Sequence, residues 1–119
     1  MNVLIVCHAG KGVGLGHLTR SRVVAHSIHH MFHASIYFLI QGEAIKKDYL
    51  SGFEYQFLES NKDLSLLIRQ KVAALGIKVI VFDLFPQQIP DDFGILLAEL
   101  KRNKCKLISI DGLIEYQNK

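Results

Sequence analysis

Gly10-Lys11-Gly12-Val13-Gly14-Leu15-Gly16-His17-Leu18-Thr19-Arg20 follows the apolar run Val3-Leu4-Ile5-Val6-Cys7 and precedes a helical pattern. A strand, a glycine loop and a helix start, in that order, bring backbone amides close to a ligand phosphate. Glycine suits such a loop because it tolerates positive φ and carries no side chain to hold a ligand away. The spacing is not a dinucleotide fingerprint: counted from Gly10 the last glycine falls on Leu15, and from Gly12 it falls on His17. No Gly-Lys-Ser/Thr closes the loop, so it is not a Walker A loop either. What remains is a glycine at every second position, ended by a histidine inside the first helical turn.

Working outward, short and nearly continuous apolar runs alternate with helical patterns. Runs at 3–7, 35–40, 55–58, 79–82 and 107–110 lack polar alternation, as parallel strands covered on both faces do. A helix is expected over 16–32, with an inward stripe of Ser21, Val24, Ile28 and Met31 that begins one turn earlier at His17. A short, weak helix is expected over 43–50. Leu64, Ile68, Val72 and Leu75 form one face of a third, with Asp63 as N-cap and Gly76 as its stop. The last helix, 92–103, shows Phe93, Leu96, Leu97 and Leu100 on one face behind Pro90 and Asp91. This βαβαβαβαβ order predicts an α/β fold: an open, doubly wound, parallel five-stranded sheet of order 3-2-1-4-5. The topological switch point then lies between the first and fourth strands, at their carboxyl ends. The glycine loop, Asp83 and Asp111-Gly112 meet there.

The 119 residues make one Rossmann-like domain of a size that buries a real core. Half of them are hydrophobic and about a fifth charged, the composition of a soluble globular chain. The formal charge of +3 includes no block of like charges, which argues against a nucleic-acid partner. Cys7 and Cys105 form no metal spacing and are expected as free thiols. The first residues lack the basic region of a signal peptide, and no apolar run reaches the ~18 residues that span a bilayer. The expected location is the cytoplasm, with membrane contact at most peripheral.

His17 is the sharpest candidate for chemistry. At a helix start the macrodipole disfavours its imidazolium, and a neutral imidazole accepts a proton from a hydroxyl or a water. The alternative is a histidine that packs and hydrogen-bonds near a helix end. Arg20 shares a helix face with His17 and either binds a phosphate or carboxylate or forms a salt bridge to Asp83 or Glu43. Thr19 and Ser21 offer hydroxyls to a ligand or to the backbone. Asp83 and Asp111, ending adjacent strands, either orient His17 or a substrate hydroxyl or stabilise their turns. His26, His29, His30 and His33 lack the convergent partners a zinc site needs and read as a solvated helix face. The set Lys101, Arg102, Lys104 and Lys106 reads as solubilising, with anionic lipid as the lesser alternative. The pattern implies no metal and no cofactor.

The stretch Gly14-Leu15-Gly16-His17-Leu18-Thr19-Arg20-Ser21 resembles the first loop of sugar-nucleotide enzymes of the GT-B architecture. One branch is the predicted bacterial glycosyltransferases, whose fourth strand often ends in Asp-Leu-Phe-Pro, as Asp83-Leu84-Phe85-Pro86 does here. The other is the UDP-sugar hydrolase of pseudaminic acid biosynthesis, whose loop also reads Gly-His-x-x-Arg. In that hydrolase an Asp-His-Tyr segment ends the fourth strand, and Leu84 and Phe85 depart from it. The resemblance implies His17 and Asp83 as catalytic residues and Gly14 and Gly16 as the loop that approaches the substrate; Gly12, Thr19, Arg20 and Asp111 are substrate-binding candidates from their places in the loop, on the first helix and at the end of the fifth strand. It implies the acceptor-side N-terminal half of a two-domain inverting glycosyltransferase. Its partners would be a nucleotide-sugar donor, held mostly by a C-terminal domain, and a sugar or lipid-linked acceptor. A nucleotide-sugar hydrolase and a non-catalytic subunit of a split glycosyltransferase are the alternatives.

Overall fold

The computed structural model describes residues 1–9, 16–42, 50, 52–84 and 89–110, with the side chains of 16–18 outside that description. The elements run β1 (Asn2–Ala9), α1 (Gly16–Phe32), β2 (Ser35–Gly42), β3 (Glu54–Leu58), α2 (Leu64–Leu75), β4 (Val79–Asp83), α3 (Phe93–Arg102) and β5 (Lys106–Ser109). All neighbouring strands are parallel, in the order β3-β2-β1-β4-β5. This is the doubly wound, Rossmann-like α/β sheet expected from the alternation of strand and helix patterns.

β1 takes the centre because it is apolar on both faces. Val3, Ile5, Cys7 and Ala9 join Ala25 of α1 and Ile36, Phe38 and Ile40 of β2 in one core. Leu4 and Val6 point the other way, into a core built with Leu64 and Ile68 of α2 and Phe93, Leu96, Leu97 and Leu100 of α3. The edge strand β3 carries exposed Glu54, Tyr55 and Gln56, polar and aromatic residues that tolerate an unpaired side.

The ends of the elements follow local chemistry. The Asp63 carboxylate accepts from the Leu66 amide at 3.0 Å, and Gly76 closes α2 in the left-handed conformation. Asp92 precedes α3 but accepts from the Ser65 hydroxyl of α2 at 3.1 Å, so it joins two helices instead of capping its own. β5 starts one residue earlier than the apolar run, at Lys106, and the Ile110 amide still donates to the Phe82 carbonyl at 3.1 Å.

Two expectations are corrected. β1 and β2 each run two residues past the apolar runs 3–7 and 35–40, because His8 pairs with Gln41 and Ala9 with Gly42. Polar residues directly after those runs lie side by side inside the ladder. The inward stripe of α1 is Ser21, Val24, Ala25 and Ile28, whereas Met31, in its last turn, is 67% exposed. The expected helix over 43–50 lies outside the described residues except for Leu50, which is buried on the α1 face.

Candidate functional site

β1 and β4 are adjacent, yet the chain leaves them toward opposite faces, through α1 and toward α3. Doubly wound sheets place ligands at the carboxyl ends of strands that diverge in this way. Cys7 and Asp83 are paired across the two strands, so their side chains share the α1 face. Asp83 is fully buried and receives a two-pronged contact from Arg20: Nε donates to Oδ2 at 2.8 Å and Nη2 to Oδ1 at 2.6 Å. The Ser21 hydroxyl donates to Oδ2 at 3.1 Å. The planar fork of arginine matches a carboxylate in this geometry, which charge assistance strengthens. The second turn of α1 is thereby fastened to the end of β4. Burial, and secondarily the Asp83 charge, pushes the Cys7 thiol well above its ordinary range, which a hydrogen bond with Ser21 only partly offsets. Cys7 is therefore a buried thiol without nucleophilic character.

His17 is the second residue of α1, in the turn immediately before the Arg20–Asp83 clamp, and its side chain lies outside the described residues. Gly16 opens the helix. Gly12, Gly14 and Asp111 lie outside the described residues. Thr19 is exposed on the first turns of α1. Among the alternatives for Arg20, the structure contains the salt bridge to Asp83; the arginine side chain remains 43% exposed. The histidines His26, His29, His30 and His33 are exposed, and no metal-binding cluster occurs among the described residues.

Sequence reasoning missed a second buried polar group at this edge. His8 is fully buried on the face opposite Asp83, with Nε2 3.4 Å from Gln41 Oε1. Gln41 Nε2 donates to the carbonyls of Glu59, Lys62 and Ser60 at 3.2, 3.1 and 3.5 Å. Three carbonyls fix which end of the amide is nitrogen, so Oε1 faces His8 and the His8 proton belongs on Nε2. This pair ties the end of β1 to the turn between β3 and α2. The available signal was two polar residues, His8 and Gln41, each directly after an apolar run.

No family model matches the chain, and no curated protein is similar to it in sequence. Solved structures that share its fold include the apo form of the lipopolysaccharide outer core galactosyltransferase WaaB, at TM-score 0.53 and 17% identity. That match covers 92% of this chain and 32% of the galactosyltransferase, so the chain spans about a third of that protein's length. A universal stress protein family member from Burkholderia pseudomallei matches at TM-score 0.51 and 11% identity, covering 92% of this chain and 96% of its own. At these identities the likeness is one of fold.

Proposed function

We propose that the chain is the acceptor-side N-terminal domain of an inverting glycosyltransferase that uses a nucleotide-sugar donor in bacterial surface polysaccharide or glycoconjugate synthesis. The observation that carries this reading is the clamp of Arg20 and Ser21 on buried Asp83. It fastens the second turn of α1, directly after His17, to the carboxyl end of β4, beside the end of β1. The resemblance of the loop to those of sugar-nucleotide enzymes, and the fold shared with a galactosyltransferase, support the same reading.

In this mechanism His17 removes the proton from an acceptor hydroxyl as its oxygen attacks the anomeric carbon of the donor. The bond from that carbon to the diphosphate breaks, the configuration inverts, and the nucleoside diphosphate leaves with the electron pair. Amides of the glycine loop and the start of α1 stabilise developing negative charge. Asp83, whose oxygens are engaged by Arg20 and Ser21, acts as a positioning residue for this helix start. The donor is held mostly by a second domain.

The test is a nucleotide-sugar screen on the full-length protein, with glycosyl transfer and hydrolysis scored separately. Transfer is expected, with His17→Asn lowering kcat by about 10²–10⁴-fold and leaving the donor KM nearly unchanged. Hydrolysis at the same rate with and without acceptor would instead identify a nucleotide-sugar hydrolase. Full turnover by His17→Asn would remove His17 as the base.

A further inference from the structure

The net charge of +3 conceals an uneven distribution that the fold creates. Parallel strands all start at one edge of the sheet, and the helices between them end there. Residues distant in sequence therefore share this amino edge: Met1, the end of α1, Lys78 before β4, the end of α3 and the start of β5. Lys101, Arg102, Lys104 and Lys106 are all exposed around the turn from α3 to β5. Lys78 adjoins them, its carbonyl accepting from the Lys106 amide at 2.9 Å and its amide donating to the Asn2 carbonyl at 3.3 Å. Among the described residues the acids go elsewhere. Glu59, Asp63, Asp83, Asp91 and Asp92 lie at the carboxyl edge, and Glu99 is paired with Arg69. Glu54, at the start of β3, sits at the opposite end of the sheet from β5.

Among these cations the same edge exposes long apolar side chains. Met31, Phe32 and Met1 are 67%, 59% and 59% exposed, and Ile108 is 41% exposed. Met1, Phe32, Ile108 and Lys106 line one groove of about 280 Å³ with Ile28 and Val79. The cause is architectural. α2 and α3 cover one face of the sheet, and α1 on the other face packs mainly on β1, β2 and β4, so that Ile108 of the edge strand β5 stays partly exposed.

We propose that this amino edge docks on the surface of an anionic lipid bilayer. Met31 and Phe32 enter the boundary between headgroups and acyl chains, and Lys78, Lys101, Arg102, Lys104 and Lys106 meet the lipid phosphates. The mixture of side chains decides the occupant. Phosphates of a nucleic acid would satisfy the cations but offer no place for four exposed apolar side chains, whereas a membrane interface rewards both. The docking edge is opposite the carboxyl ends of β1 and β4 and is independent of any chemistry there.

The test is co-sedimentation of the chain with phosphatidylcholine vesicles that contain or lack phosphatidylglycerol. Sedimentation is expected only with the anionic vesicles, and added salt should weaken it. Neutralising one surface cation should lower vesicle affinity about fivefold, so K101Q, R102Q and K106Q together should lower it about a hundredfold. Lys62→Gln, at the carboxyl edge, should leave it unchanged. The chain contains no tryptophan, so Phe32→Trp supplies a single reporter whose emission should shift to the blue on anionic vesicles alone. Absence of that shift, equal binding to neutral vesicles, or indifference to the triple substitution would overturn the proposal. So would a dimer in solution that Phe32→Ser converts to monomer, or tighter binding to duplex DNA than to the vesicles.

Discussion

Removing Arg20 should harm this protein more than removing the charge of its partner, although both changes break the same ion pair. The reason is unequal burial: the Arg20 side chain is 43% exposed and the Asp83 side chain is fully buried. In Asp83→Asn the guanidinium turns to water, and a neutral amide still accepts from the Ser21 hydroxyl. The expected loss is that of charge-assisted hydrogen bonds partly replaced by hydration, about 1–2 kcal/mol. In Arg20→Ala the carboxylate keeps the Ser21 hydroxyl but loses both guanidinium donors while remaining in the core. Breaking a buried pair from that side costs about 3–5 kcal/mol. A chain of this length has a total stability of about 6–18 kcal/mol, so the variant folds but is visibly weakened. At about 4 °C per kcal/mol, the melting temperature should drop by about 12–20 °C for Arg20→Ala and by less than half of that for Asp83→Asn. The double variant Arg20→Ala/Asp83→Asn should be more stable than Arg20→Ala alone, because it no longer buries a charge that has lost its guanidinium. Thermal and urea unfolding followed by circular dichroism measure all three. Equal costs for the two single variants, or a larger one for Asp83→Asn, would refute the burial argument.

Gly42 adopts φ +133° beside Ala9, and an added Cβ would lie 1.9 Å from the Ala9 carbonyl oxygen. Gly42→Ala should therefore prevent normal pairing of the ends of β1 and β2, read as a collapse in soluble yield or melting temperature far beyond a surface substitution. Gln41→Leu should free the turn between β3 and α2, with faster amide exchange at 59–63 and a loss of about 1–2 kcal/mol as His8 and the part-buried turn carbonyls lose their shared amide. Cys7 holds its proton in the folded chain well beyond the pH at which an unfolded cysteine releases it. The folded state then binds more protons than the unfolded state above about pH 8.5, so stability should fall as pH rises past that point. Alkaline unfolding curves check the sign, with Cys7→Ala reducing the slope; a thiol reagent should label Cys7 only after denaturation.

The parallel, doubly wound sheet was legible in the chain itself. Apolar runs without alternation, separated by helical faces such as Leu64, Ile68, Val72 and Leu75, leave right-handed crossovers few other arrangements. The strand order and the meeting of Asp83 with the start of α1 follow from that topology. Periodicity could not decide what each polar residue does once neighbours surround it. His8 and Gln41 each follow an apolar run directly, and their pairing across β1 and β2 keeps both inside the ladder. Arg20 had two acid partners open to it, and the register of β4 against β1 brought Asp83 within reach. The gathering of Lys78, Lys101, Arg102, Lys104 and Lys106 at one edge was invisible along the chain, because a sheet brings to one edge residues as distant as Met1 and Lys106. Local sequence determines which segments extend or coil; long-range packing decides which side chains share an environment, and the chemistry depends on that environment.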